Sequence, residues 1–364
     1  MGTDTITKAV TPSERGPNDD TSSTSAIVPE VSANAALTPK EVDSSHTRAA
    51  FDEVVKVQPE NKNRIAIIGC GTIGASLVAM HLIRNVDCMV VVFDPRVDIQ
   101  SYLEAKLEED FALAGFRPDK DVASRIEYAT SLQEAVRHAE IVQEQGPENI
   151  QWKANIWSGI EQSAPDTALL WTSTSGIPAT VQSQKMSDKG RLIVCHPYNP
   201  PLLMPLIEIV PNPSTPTWVV TKTMHYWRLV KKRPILINSE VTGFVANRLA
   251  FAMFREAVSL VRQGVITASD LDELVESSMG PRWAVAGPFK SYHAGGGPGG
   301  LSAFMKNIGG TMRDCWAESD RHAVAVDDES WVDPISEECK TSFRPDDYEK
   351  RKGKLKAVLE DAAV

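Results

Sequence analysis

The run RIAIIGCGTIG, from Arg64 to Gly74, limits the possible folds of this chain more than any other stretch. RIAII reads as a buried strand, and the three glycines after it stand at the spacing of a strand-to-helix turn. Gly69 permits the tight turn, Gly71 lets backbone approach a pyrophosphate, and Gly74 allows the next helix to pack closely on the strand. Thr72 and Ile73 complete the turn and open that helix, which runs to about Arg84 and turns its N-terminus toward phosphate charge. The second strand, CMVVVF, ends in Asp94, twenty residues beyond Gly74, where a carboxylate can accept both hydroxyls of an adenosine ribose. The constellation predicts a dinucleotide cofactor. FAD sites usually carry glutamate at that strand end and a small residue four beyond the last glycine, so Asp94 and Val78 point to NAD.

From Arg64 onward, short β-rich runs alternate with helical stretches: RIAIIG, CMVVVF, RIEYAT, EIVQEQG, ALLWTSTS and RLIVCHP. This alternation predicts an α/β Rossmann-type, doubly wound sheet. After PILINSE the strands stop, and an all-helical C-terminal domain is expected. The run Gly243 to Gly264 is apolar on more than one face, which predicts a helix buried on all sides, within a helical domain or across a subunit contact. Ser269 with Asp272 resembles a capping box opening the next helix, with Gly280-Pro281 closing it. GGGPGG, Gly295 to Gly300, reads as a flexible loop. The expected division is a disordered tail over 1–57, a NAD-binding domain over 58–240 and a helical domain over 241–364. The tail is Ser/Thr-rich with no aromatic residue before Phe51, too little apolar surface to offset its ordering entropy.

A net charge of −10 leaves no basic footprint for nucleic acid or anionic lipid, so a small-molecule partner is expected. No apolar run is long enough for a membrane span, and the N-terminus lacks the order of a secretory signal. Residues 1–50 hold seven acidic against four basic residues, unlike a mitochondrial presequence. Cytoplasm is the expected location. The five cysteines show no metal-ligand spacing; no metal is expected, and Cys70 and Cys195 read as space-fillers.

The segment CHPYNPPLLMPLIEIVP, Cys195 to Pro211, holds five prolines and is no helix. His196 at a strand end and Glu208 on the returning strand can meet across it. Oxidising an alcohol needs a base for the hydroxyl proton, and a histidine oriented by a carboxylate supplies one. The plain alternative is a loop histidine and a solvated Glu208, which alternates with Ile207 and Ile209.

GCGTIG, IVQEQGPEN, WTSTSG, CHPYNPPLLMPLIEIVP, EVTGFVANRL and LVRQGVITASDLD together resemble the L-3-hydroxyacyl-CoA dehydrogenase superfamily over about residues 62–320. HPYNPP and GPRWAVAGP look most like the lambda-crystallin/L-gulonate 3-dehydrogenase branch, TSTSGIP and SYHAGG like L-carnitine dehydrogenase. The resemblance implies His196 as general base, Glu208 as its partner, and Ser175, Asn199 and Asn247 around the substrate oxygen and nicotinamide. Glu144 and Asn149 match a segment near the cofactor. Arg282 matches an arginine shared by the two branches that act on free carboxylates, for which a guanidinium is a bidentate partner. The excursion over 95–121, where the acyl-CoA branch holds phosphates with basic residues, carries four basic residues and seven acidic ones. The expectation is a homodimeric, NAD-dependent dehydrogenase of a small 3-hydroxy acid. A short-chain 3-hydroxyacyl-CoA dehydrogenase and a non-catalytic, crystallin-like dinucleotide-binding protein are the alternatives.

Overall fold

A computed structural model describes residues 63–343 and 345–362, without the side chains of 345–349 and 361–362. The tail expected over 1–57 lies outside the described residues. The α/β part runs β1 (Arg64–Ile68), α1 (Thr72–Arg84), β2 (Met89–Phe93), α2 (Ile99–Ala114), β3 (Ile126–Tyr128), α3 (Leu132–Val136), β4 (Ile141–Glu144), α4 (Ile150–Glu161), β5 (Leu169–Thr172), α5 (Ala179–Gln182), β6 (Leu192–Pro197), β7 (Leu206–Pro211), α6 (Thr217–Leu229) and β8 (Arg233–Leu236). The helical part follows as α7 (Ala246–Arg262), α8 (Ala268–Ser277), α9 (Met279–Val285), α10 (Pro288–Gly295), α11 (Gly300–His322), α12 (Val332–Ser342) and α13 (Pro345–Ala362). No helix of the described residues is long and apolar enough to cross a membrane.

The eight strands form one sheet in the order β3-β2-β1-β4-β5-β6-β7-β8. β1 to β6 are parallel; β7 runs antiparallel to β6, and β8 parallel to β7. The chain winds outward from β1 and then returns to start again at β4. The crevice beyond the carboxyl ends of those two strands is where such sheets bind ligands.

Period-2 alternation sorts the strand side chains into two cores. Ile65, Ile67, Val90, Val92, Trp171 and Ile193 pack under α1, α2 and α6, while Ala66, Ile68, Val91, Val142, Leu170 and Val194 pack under α3, α4 and α5. Both faces are covered, so the strands carry near-continuous apolar runs. A polar chain crosses the first core. The His81 ring meets Tyr226 Oη at 2.6 Å and Gln143 Oε1 at 3.0 Å, and Gln143 Nε2 donates to Ser173 Oγ at 3.1 Å. Burial holds the His81 pKa down at about 4, so the ring stays neutral.

α7 is not covered on every side by its own chain: Leu249, Phe251, Met253 and Phe254 are exposed, so of the two settings expected for it the helical part of one chain does not supply the burial. The helical part departs from the sequence expectations at both ends of α8. The cap of α8 is Thr267, whose Oγ1 accepts the Asp270 N–H at 3.1 Å, two residues before the Ser269 expected from the pattern. Gly280 and Pro281 lie in the first turn of α9 and do not close α8, whose last residue is Ser277. GGGPGG forms a tight turn between α10 and α11, where a Cβ on Gly296 would stand 1.7 Å from the Gly300 carbonyl oxygen.

Candidate active site

The register of β6 against β7 pairs His196 directly with Glu208. His196 Nδ1 lies 2.8 Å from Glu208 Oε2, with the two residues 4% and 1% exposed. Glu208 is therefore no solvated strand residue, although alternation with two isoleucines suggested that alternative. Its other oxygen, Oε1, accepts the backbone N–H groups of Val245 at 2.9 Å and Ala246 at 3.0 Å. These donors belong to the opening turn of α7, where unpaired N–H groups and the helix dipole favour an anion. Burial raises the Glu208 pKa, but the hydrogen bonds from His196, Ala246 and Val245 outweigh it and hold the carboxyl below its ordinary value. An ionised Glu208 can only accept, so Nδ1 carries the proton and Nε2 presents its lone pair.

The GFVANR segment closes the ring from the other side. Gly243 and Phe244 both have positive φ, +74° and +53°, and Phe244 is fully buried with its ring centroid 5.4 Å from that of His196. A phenylalanine in the left-handed region is uncommon and is held there by its surroundings. Asn247, one residue into α7, donates Nδ2–H to the Ser175 carbonyl at 2.9 Å. This bond links the TSTSG loop to the helix that caps Glu208.

Glu148 was not among the residues singled out in the sequence. It accepts the Ser175 N–H at 2.7 Å and the Thr174 hydroxyl at 2.7 Å, so it fixes the turn that presents Ser175. The signal for it was weak, a lone carboxylate in QGPEN after a strand. Ser175 and Asn199 are exposed. Glu144 is fully buried, and its oxygens take Lys153 Nζ at 2.8 and 3.0 Å, Thr172 Oγ1 at 2.9 Å and the Gly146 N–H at 2.6 Å. That set locks the ends of β4 and β5 to α4. Asn149 caps α4, accepting the Trp152 N–H at 2.8 Å. Arg282 is exposed on α9, and among the described residues its guanidinium makes no hydrogen bond or ion pair.

The glycine turn has room for a dinucleotide. Gly69 has φ +86°, and a Cβ on Gly74 would stand 2.3 Å from the Gly69 carbonyl oxygen, so α1 touches the turn. Gly71 is exposed with nothing within 4 Å of a Cβ position, which leaves its backbone open to a ligand. Thr72 and Ile73 open α1 beside it. Asp94 accepts the Cys70 N–H at 2.7 Å through Oδ2 and the Arg96 N–H at 2.9 Å through Oδ1, keeping a second lone pair on each oxygen for a ribose. Beside Gly74, the Gln145 side-chain amide is buried with no hydrogen-bond partner, a group that a bound dinucleotide can satisfy. Burial pushes the Cys70 thiol up to about 12 and Cys195 well above its usual value, so neither is a nucleophile.

The model of the 3-hydroxyacyl-CoA dehydrogenase NAD-binding domain matches residues 64–241, and that of the C-terminal domain matches residues 243–320. A 3-hydroxyacyl-CoA dehydrogenase of Gibberella moniliformis is 36% identical over 253 residues, which cover 68% of this chain and 78% of the relative. An L-carnitine dehydrogenase of Streptomyces coelicolor is 34% identical over 260 residues, 71% of this chain and 81% of the relative. Among solved structures, the NAD+-dependent dismutase 5-formyl-3-hydroxy-2-methylpyridine 4-carboxylic acid 5-dehydrogenase aligns with a TM-score of 0.69 and 27% identity. That alignment covers 83% of this chain and 99% of the other.

Proposed function

The chain belongs to the 3-hydroxyacyl-CoA dehydrogenase family, and we propose that it oxidises the 3-hydroxyl of a small free hydroxy acid to the 3-oxo acid with NAD. The observation that carries this reading is the buried His196–Glu208 pair at 2.8 Å, with two backbone N–H groups on the second carboxylate oxygen. His196 Nε2 takes the hydroxyl proton, and Glu208 stabilises the imidazolium that forms. Bound NAD supplies the hydride acceptor. Ser175, Asn199 and Asn247 are neutral donors suited to the developing carbonyl oxygen, since they do not compete for the proton. Glu148 and Asn247 hold Ser175 in place.

Asp94 selects NAD over NADP, because a 2′-phosphate beside its carboxylate would meet a like charge, costing on the order of several kcal/mol. The acidic excursion over 95–121 disfavours CoA phosphates, and the exposed, unpaired Arg282 is available to a substrate carboxylate. The exposed apolar face of α7 supports a homodimer in which a second copy covers it.

The test is a panel of 3-hydroxybutyrate, L-gulonate, L-carnitine and 3-hydroxybutyryl-CoA followed by NADH absorbance. Oxidation of a free acid is expected, with His196→Asn losing on the order of 10²–10⁴-fold in kcat and retaining NADH binding. Arg282→Met should lower kcat/KM for the acid and leave that for a thioester nearly unchanged. A preference for the CoA ester that ignores Arg282→Met would transfer the assignment to acyl-CoA oxidation. Absence of any turnover would leave a dinucleotide-binding protein without this chemistry.

A further inference from the structure

A cavity of about 550 Å³ opens between the C-terminal ends of α1 and α2, the Leu202–Pro205 loop, the turn from α6 into β8, Ala284 of α9, and α13. Its size is that of a small-molecule site. Four cations line it, Arg84, Lys231, Arg233 and Lys356, against one carboxylate, Glu360, which lies 3.9 Å from Lys356. Leu202, Leu203 and Pro205 give it an apolar wall. Three helix C-termini, of α1, α2 and α6, meet here and favour cations, and the four cations outnumber the one carboxylate, which leaves positive charge facing the cleft.

Two further observations bear on the same cleft. Lys231 has φ +59°, closing α6 in the left-handed conformation that glycine adopts without steric cost. Its N–H and that of Lys232 reach back to the carbonyls of Arg228 and Trp227, both at 2.9 Å. A lysine thus stands where the backbone alone would favour glycine, and this residue lines the cavity. Next to it, Lys232 is buried and donates to the carbonyls of Pro201, Leu202 at 3.4 Å and Met204 at 2.9 Å. Burial, with the charge of Arg84 adding to it, holds the Lys232 pKa down at about 7.

We propose that this cleft binds a phosphate-rich small molecule, with two or more adjacent phosphates on the four cations and any apolar portion against Leu202, Leu203 and Pro205. The site is separate from the glycine turn, because α1 spans 13 residues, about 20 Å at 1.5 Å per residue, between Thr72 and Arg84. Through Lys232 an occupant would also bear on the loop that joins His196 to Glu208. The proposal rests on the cleft and not on the assignment of the dyad.

The experiment is calorimetric titration of the full chain, with NADH saturating so that the glycine turn is filled, using inorganic pyrophosphate, tripolyphosphate and ATP as separate probes. At least one should bind once per chain, more weakly as salt rises. Arg233→Gln and Lys231→Gly should each weaken it by roughly tenfold or more. Lys231→Gly should at the same time keep or raise Tm, since it relieves a left-handed lysine. It therefore carries the test even if Arg233→Gln fails to fold. No probe binding more tightly than about 1 mM, or unchanged affinity in both variants, would overturn the site. So would a probe that binds only when NADH is omitted, which would place it on the glycine turn.

Discussion

Trp171 on β5 and Phe251 on α7 are both large aromatics in elements that read as apolar, yet the first is fully buried and the second is 62% exposed. Trp171 sits against Tyr226 and Trp227, each with ring centroids 5.2 Å away, and donates its indole N–H to Thr223 at 2.9 Å. Phe251 shares its helix with Leu249 at 63% exposure, Met253 and Phe254. The sheet finds helices of its own chain for both faces. Among the described residues the helices after β8 bury only Val258, Ser259, Gly300 and Gly309, with Val324 buried in the loop after α11. One region is a closed core, and the other leaves an apolar face uncovered. Glu208 lies where they join, on a strand of the first with its carboxylate on the opening N–H groups of the second.

The strongest way to break this contrast is to cut into the closed core. Trp171→Ala removes a fully packed indole and leaves Thr223 Oγ1 without its donor. A loss of about 3–5 kcal/mol in unfolding free energy is expected from urea titration. A loss below about 1 kcal/mol would mean that the sheet core tolerates a large void and is not the rigid element described.

Acid should also act on the sheet side. His81 has a pKa near 4 in the fold against 6.5 for an unperturbed ring, so the unfolded chain binds a proton that the folded one does not between those values. Stability contributed by the neutral ring is then complete above about pH 6.5 and is lost as pH falls toward about 4, at most about 3 kcal/mol. Glu208 works in the same direction, its share disappearing as pH falls through its lowered pKa. Unfolding midpoints measured across this window should fall in the wild type and flatten in His81→Gln. Equal slopes in the two proteins would assign the acid response elsewhere.

The sequence was most informative where local chemistry dictates backbone. Gly69, Gly71 and Gly74 lie in the turn that their spacing implied, and the six strand runs from RIAIIG to RLIVCHP each contain an observed strand. His196 and Glu208 could be proposed as a pair because twelve residues rich in proline force a return. Whether Glu208 is buried was not legible, since period 2 gives a face and not what covers it; the cover is Phe244 and the start of α7, more than thirty residues on. Glu148, Lys153 and Lys232 were missed for the same reason. Each acts through a partner distant in sequence, and a lone charged residue carries no local signature of that. For α7 the sequence left two settings open, a helical domain or a subunit contact, because apolar composition shows what a helix needs to bury and not whether its own chain buries it.

A smaller effect separates the two regions at a helix start. Thr267→Ala removes the side-chain acceptor of the Asp270 N–H from α8, an exposed helix with no buried residue. It should cost about 1 kcal/mol, the usual value of such a cap, seen as a drop of a few degrees in Tm. With no packing to hold the helix, local fraying is the expected form, and hydrogen exchange should quicken in α8 without quickening in β1 or β4. A uniform rise across both would show that the helical part and the sheet unfold as one unit.

The smallest expected change is the most discriminating. At 62% exposure in a single chain, Phe251 contributes little by burial, so Phe251→Ala should alter the stability of dilute, monomeric protein by less than about 0.5 kcal/mol. If a second copy covers α7, the same substitution removes a large apolar contact from that interface, and the cost appears only where chains associate. The wild type should then show a Tm that climbs with protein concentration and a dimer by sedimentation, while Phe251→Ala should lose most of the climb and sediment as monomer at concentrations where the wild type pairs. Should Phe251→Ala instead destabilise the dilute protein by several kcal/mol, the exposed face would have to be covered within one chain. A concentration-independent Tm shared by both proteins would leave the apolar face of α7 open and remove the homodimer from the proposed assembly.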